Sequence, residues 1–119
     1  MAAAGSLGAL ARYGVALWAK AHLDGAFPWG TWIANVVGCL LLGFFMQWSM
    51  EHPSLPPAAR LAVATGFLGA FTTFSTFSYD TVQAAMTGHA GVALANVGAN
   101  LAVGLLCAFA GIHLARLVG

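Results

Sequence analysis

Long apolar runs separated by short polar segments dominate the pattern of this chain. The runs extend from about Ala3 to Ala21, Trp29 to Met50, Ala58 to Thr87 and Val92 to Arg116. Each is close to or longer than the roughly 20 mostly apolar residues that a helix needs to cross a bilayer. The pattern therefore predicts an all-α protein with four transmembrane helices, and both termini on the same side of the membrane.

The third run is longer than a bilayer requires. A helix of about 30 residues measures about 45 Å, whereas the hydrocarbon core of a bilayer is about 30 Å thick. Hydroxyl-bearing and β-branched residues, which have low helix propensity, cluster at 72–75. Unwound backbone at membrane depth must be surrounded by protein or water, and its freed carbonyls can bind a cation. We therefore expect the third helix to be broken in this cluster.

Composition places the chain among membrane proteins and excludes several other classes. Of its 119 residues 61% are hydrophobic and only 6% are charged, whereas soluble domains carry about 25% charged residues. There is no basic cluster for nucleic acid, no GxSxG serine, no pair of carboxylates within one run and no glycine-rich phosphate loop. We expect one domain over 1–119, a multi-pass protein of the cell inner (plasma) membrane, and no enzymatic activity.

Basic residues are almost evenly divided between the two predicted sides of the membrane. Arg60 and Arg116 belong to the side of the termini and Lys20 to the other, while Arg12 lies inside the first run. Orientation follows the excess of Lys and Arg in cytoplasmic loops, so this weak bias allows insertion in both directions. Small residues throughout the runs favour close helix association, and a bundle this small has little room for its own channel. We therefore expect at least a dimer.

The segment Gly66 to Asp80, GFLGAFTTFSTFSYD, concentrates polar groups inside an apolar environment. Seven of the nine residues from 72 to 80 carry a hydroxyl, a phenol or a carboxylate. Such groups within a bilayer need a partner or a water-lined cavity, so the cluster indicates a pathway or a binding site. Phe74 and Phe77 alternate with hydroxyl residues and can turn electropositive ring edges toward an anion. Phe67 and Phe71 are expected to pack.

Amides in the second and fourth runs could extend this pathway. Thr31 and Asn35 are four residues apart and share a helix face, as do Asn96 and Asn100. An amide NH2 offers two donors to an anion, but asparagine also joins membrane helices by hydrogen bonds. For Asn96 both interpretations stay open, whereas Asn35 and Asn100 lie deep in their runs and favour a pore role. Arg12 either attracts anions at a vestibule or extends to the membrane interface.

Three segments give the chain a resemblance to the Fluc (CrcB) family of fluoride-specific ion channels. They are GSLGALARYG at Gly5 to Gly14, GTWIANVVGCLLLGF at Gly30 to Phe44, and GFLGAFTTFSTFSYD at Gly66 to Asp80. The third is the most specific, and the resemblance covers nearly the whole chain. It implies a dual-topology homodimer of antiparallel subunits in the lipid bilayer, with two pores at the interface for passive export of fluoride.

The resemblance also implies roles for individual residues. The fluoride pore would be lined by Asn35, Phe74, Phe77, Ser75, Thr76, Thr31 and, by a looser alignment, Asn100. Arg12 would lie in the vestibule, and the backbone carbonyls of Gly69 and Thr72 would hold a structural sodium ion at the dimer interface. The chain departs from the family at Asn96 and Asn100, where the track usually has serine or threonine, and at Asp80, where relatives often have glutamate.

Two other functions would fit a small membrane protein. A small antiparallel multidrug or cation antiporter needs a carboxylate deep in the membrane for proton exchange. The first run has none, Glu51 lies in a loop, and Asp80 lies near the end of a run. A non-transporting membrane assembly protein is the other alternative. The resemblance favours the channel over both.

Overall fold

The computed structural model describes residues 1–119 and consists entirely of helices and their connections. Helix α1 is Ala2–His22 and α2 is Trp29–Glu51. The third run forms two helices, α3 over 57–71 and α4 over Phe74–Met86, and the fourth run forms α5 over Ala90–Val118. The all-α fold predicted from the sequence is confirmed.

Three stretches are long and apolar enough to cross a membrane. They are Trp29–Glu51, Pro57–Met86, which contains α3 and α4, and Ala90–Val118. Helix α1 is not among them, since Arg12, Lys20 and its several glycines lower its hydropathy. The helices therefore support a multi-pass membrane protein, with three membrane-capable stretches where four were predicted.

Two stretches of wider, π-helical turns interrupt the regular α-helical geometry. One occupies Ala62–Leu68 in the middle of α3, and the other occupies Ala99–Val103 in α5. Such turns shift the register of the side chains that follow them, and they often occur at functional sites. The first precedes the end of α3 by one short turn, Gly69–Phe71, and the second contains Asn100.

Glycines allow the helices to approach until backbone meets backbone. Helix α2 packs along the second half of α5, Gly104–Val118. A Cβ atom added to Gly111 would lie 2.2 Å from the carbonyl oxygen of Leu40, and one added to Gly43 would lie 2.4 Å from that of Ala108. Small residues make this close packing possible where no hydrophobic effect drives helices together. The contact between α2 and α5 sets the relative position of the two helices that carry Asn35 and Asn100.

We expect Gly111→Ala to lower the thermal stability of the detergent-purified protein. The added methyl group cannot fit 2.2 Å from the carbonyl oxygen of Leu40, and such overpacking typically costs about 1–3 kcal/mol. Gly14→Ala is the matched control, because a Cβ atom there meets nothing within 4 Å. Residual folded protein after heating, measured by size-exclusion chromatography, should fall only for Gly111→Ala. Equal behaviour of the two variants would contradict the close contact between α2 and α5.

Candidate anion pathway

Two extended residues, Thr72 and Thr73, connect α3 to α4. Their backbone angles are φ −84°, ψ 159° and φ −153°, ψ 113°. The side chain of Asn35, from α2, pairs with both backbone groups of Thr73. The Thr73 N–H donates to Asn35 Oδ1 at 2.7 Å, and Asn35 Nδ2 donates to the Thr73 carbonyl at 3.1 Å. One amide thus satisfies backbone groups that would otherwise be without partners inside an apolar bundle.

Thr73 also caps the first turn of α4. Its Oγ1 accepts a hydrogen bond from the Thr76 N–H at 3.2 Å, and it donates to Thr76 Oγ1 at 3.0 Å. The Oγ atom of Ser75 lies 3.3 Å from Thr73 Oγ1. Thr73 was missed as a site residue by the sequence reasoning. A threonine immediately before a helix is a typical N-cap, and that signal would have found it.

The interruption leaves several backbone carbonyls without their helical donors, among them those of Gly69 and Thr72. In a continuous α-helix Gly69 would accept from the N–H of Thr73, and Thr72 from the N–H of Thr76. The first of these N–H groups donates instead to Asn35 Oδ1, and the second to the hydroxyl of Thr73. No other backbone N–H of a connecting residue replaces them. The family resemblance assigned the carbonyls of Gly69 and Thr72 to sodium.

A chain of hydrogen bonds runs from Asn35 through α5 to α4. Asn35 Nδ2 donates to Asn100 Oδ1 at 3.1 Å, and Asn100 Nδ2 donates to Asn96 Oδ1 at 2.9 Å. Asn96 Nδ2 then donates to Thr81 Oγ1 at 2.9 Å, and Thr81 Oγ1 donates to the Phe77 carbonyl at 2.8 Å. Asn96 is fully buried, so the structure favours its role in joining helices over a role in a pore. Thr81 was not identified from the sequence.

Two grooves meet at Thr73. The phenylalanine groove has a volume of about 260 Å³, and its lining includes Asn35, Phe74, Phe77, Asn100, Thr72 and Thr73. The arginine groove has a volume of about 250 Å³, and its lining includes Arg12, Thr31, Thr73 and Thr76. Seven of the residues assigned to the pore or its vestibule thus line one groove or the other. Ser75 is the exception, since it is exposed and lines neither.

The two phenylalanines of the groove differ from those of the packed core. Phe74 is 76% exposed, and its ring lies 5.5 Å from that of Phe77 at an inclination of 51°. Phe71 is only 6% exposed and stacks on Phe67 with nearly parallel planes, 6.1 Å apart. The inclined pair can direct ring edges into the groove, where their positive electrostatic potential is available to an anion.

Asp80 is bound by Thr31 of α2, and it lines a separate cavity of about 260 Å³ rather than the arginine groove. Thr31 Oγ1 donates to Asp80 Oδ2 at 3.1 Å. Thr31 lines that groove, and it also lines a cavity of about 440 Å³ beside the loop that joins α1 to α2, where Lys20 and Asp24 lie. This carboxylate therefore has a hydroxyl partner and lies outside the lining of the phenylalanine groove.

Comparison with known proteins identifies the family. A family model described as CrcB-like protein, Camphor Resistance (CrcB), matches residues 1–112. This chain belongs to the CrcB family. The family expected from the three sequence segments is confirmed. These segments contain nearly all of the residues that line the two grooves, from Arg12 on α1 to Phe77 on α4.

Two relatives of the CrcB-family chain carry informative names. A protein of Symbiobacterium thermophilum named fluoride-specific ion channel FluC 2 is 50% identical over 115 residues, which cover 97% of this chain and 94% of the relative. A protein of Acidobacterium capsulatum named fluoride-specific ion channel FluC is 48% identical over 111 residues, which cover 93% of this chain and 89% of the relative. The similarity thus extends over nearly the full length of each protein.

Proposed function

We propose that this protein is a fluoride-specific ion channel that lets fluoride leave the cytosol passively across the cell membrane. The observation that carries the proposal is the phenylalanine groove, where an amide and the rings of Phe74 and Phe77 line one open space. Its setting is a CrcB-family chain that is 48% and 50% identical to two proteins named fluoride-specific ion channels. By its family and its named relatives, the protein acts as a channel and not as an enzyme.

The chemistry of the two grooves suits a small, strongly hydrated anion. Such an ion crosses a membrane only where successive donors replace its water and none binds it too tightly. Arg12 supplies a positive charge in the arginine groove, and the hydroxyls of Thr31 and Thr76 follow it. Beyond Thr73 the phenylalanine groove offers an amide and ring edges without any charged residue. Ser75, exposed beside this route, would complete the polar track in the assembled protein.

Assembly as an antiparallel dual-topology homodimer is part of the proposal. The phenylalanine groove is open, and Phe74, which lines it, is exposed in the isolated chain, as is the neighbouring Ser75. Lipid tails cannot pair with the amide and backbone polar groups of this groove, so it must be closed off from lipid by protein or filled with water. A second copy would close the groove and form two pores. The balance of basic residues allows the two copies to insert in opposite directions.

Each subunit of this dimer would have four transmembrane helices, the third of them broken at Thr72 and Thr73. Helix α1 packs against both α2 and α3. If α2 and α3 lie in the membrane, α1 must therefore lie in the membrane as well. Its backbone approaches α3 closely, because a Cβ atom on Gly8 would lie 2.1 Å from the Phe67 carbonyl oxygen. Protein contacts thus compensate for the lower hydropathy of α1.

A structural sodium ion at the dimer interface is also part of the proposal. The carbonyls of Gly69 and Thr72 fit this ion, since both lack their helical donors and carbonyl oxygen is a suitable ligand for a hard cation. The same pair from the second subunit would complete the site. Bound sodium would supply positive field close to the anion path.

Efflux from liposomes tests the proposed function. Purified protein is reconstituted into liposomes that contain potassium fluoride or potassium chloride, and valinomycin carries the potassium. We expect rapid release of fluoride, with chloride release no faster than from protein-free liposomes. Equal release of both anions would contradict fluoride specificity. Proton-coupled uptake of a lipophilic cation that is lost in Asp80→Asn would support the antiporter, and no flux from intact dimers would support an assembly role.

A further inference from the structure

The orientation of the Asn35 amide is determined by its backbone partner. The Thr73 N–H can only donate, and it lies 2.7 Å from Asn35 Oδ1. Nδ2 is therefore the atom that faces the Thr73 carbonyl and Asn100. Because Nδ2 can only donate, Asn100 must present its Oδ1, and its own Nδ2 must point to Asn96. The direction of every hydrogen bond in this part of the chain follows from a single backbone N–H group.

Both hydrogens of the Asn35 amide are consequently in use. One is donated to the Thr73 carbonyl and the other to Asn100 Oδ1, each at 3.1 Å. An amide NH2 has no third donor. An anion in the phenylalanine groove can therefore reach a donor of Asn35 only by displacing one of the two acceptors. The Thr73 carbonyl is part of the backbone, whereas Asn100 Oδ1 belongs to a side chain that can rotate.

We propose that Asn100 is a built-in competitor, whose Oδ1 occupies the donor of Asn35 that the anion needs. The inference rests on the proposed function and changes the role of Asn100 from that of a direct fluoride ligand. Fluoride would displace this oxygen when it binds and be displaced by it when it leaves. A pore must not hold its ion too tightly, and an internal acceptor that returns to Asn35 shortens the stay of the anion.

The competitor role and the ligand role predict changes of opposite sign. If Asn100 donated to fluoride, its truncation would weaken fluoride binding. If Asn100 competes with fluoride, truncation frees one hydrogen of Asn35 and strengthens binding. The net value of a neutral hydrogen bond corresponds to a change of about two- to tenfold in the affinity.

Side-chain NMR of asparagine measures this directly, because the chain contains only Asn35, Asn96 and Asn100. Protein labelled with 15N-asparagine gives three NH2 signals, and that of Asn35 is assigned by its loss in Asn35→Ser. Sodium fluoride is titrated into wild-type protein and Asn100→Ala, with sodium chloride as the anion control. We expect the half-saturating fluoride concentration for the Asn35 signal to be about two- to tenfold lower in Asn100→Ala.

Two further variants keep the result interpretable. Asn100→Ser also removes the acceptor from reach of Asn35. Serine is a residue type that the family resemblance places in this helix. Asn100→Ser therefore takes the place of Asn100→Ala if Asn100→Ala does not fold. Leu101→Ala widens the same groove without removing a hydrogen bond. An equal gain of affinity in Leu101→Ala would assign the effect to groove width and overturn the proposal.

The proposal is also overturned if the half-saturating concentration is unchanged or higher in the Asn100 variants. Fluoride efflux of the wild-type protein separates this failure from failure of the proposed function. A channel whose Asn100 variants bind fluoride less tightly contradicts only the competitor role. A wild-type protein that neither releases fluoride nor shifts its Asn35 signal contradicts the channel itself.

Discussion

Replacement of Asn35 by aspartate should abolish fluoride efflux. The substitution removes both donors of the amide and places an oxygen atom opposite the Thr73 carbonyl and Asn100 Oδ1, which accept from Nδ2 in the wild type. It also introduces a negative charge into the phenylalanine groove. Two unit charges 4 Å apart repel by about 4 kcal/mol at an effective dielectric constant of 20, which corresponds to about a thousandfold loss. Release from liposomes should fall to the level without protein.

Gln47→Glu is the matched control for Asn35→Asp. It also exchanges an amide for a carboxylate on α2, but Gln47 lies one turn before Glu51 and outside both grooves. Its fluoride efflux should stay within about twofold of wild type, because charge repulsion falls with distance and is screened by salt. Size-exclusion chromatography must show the same oligomeric state for both variants and for wild type. Undiminished, fluoride-selective efflux by Asn35→Asp would remove Asn35 from the pore.

Local sequence signals predicted the helix ends well. Helix α2 begins at Trp29, as expected, since Pro28 precedes it and disfavours helical backbone in the residue before itself. The positive φ of Gly88 marks the connection between α4 and α5, where the sequence placed a loop. The membrane span predicted for α1 stays a prediction. Its alanines and glycines fit a packed helix as well as a lipid-facing one, so length alone did not establish a membrane span.

The partners within the site could not be read from the sequence. Asn35 forms hydrogen bonds with Thr73 and Asn100, which are 38 and 65 positions further along the chain. No local sequence pattern specifies which helix faces meet. The helix cap at Thr73 was predictable in principle, because it depends on neighbouring residues alone. The direction of the bonds among the three asparagines was not, because it follows from one backbone N–H brought beside Asn35 by tertiary packing.

Phe74→Ile should abolish fluoride efflux and leave folding nearly unchanged. Isoleucine keeps an apolar side chain at this position but has no aromatic edge to turn toward an anion. Because Phe74 is 76% exposed, few contacts within the subunit are lost, and thermal stability in detergent should stay close to that of wild type. Liposome efflux checks the first expectation, and the folded protein that remains after heating, measured by size-exclusion chromatography, checks the second.

Phe71→Ile provides the opposite combination. Phe71 is buried and stacked on Phe67, so its replacement should cost about 1–4 kcal/mol of stability through lost packing. Phe71 lies outside both grooves, so its ring does not contact the anion. The fraction of Phe71→Ile protein that folds should therefore keep its fluoride selectivity. We expect Phe74→Ile to lose efflux but keep its stability, and Phe71→Ile to lose stability but keep fluoride selectivity. This pair of results would distinguish a surface that recognises the anion from a packed core. Undiminished, fluoride-selective efflux by Phe74→Ile would show that ring edges do not recognise the anion.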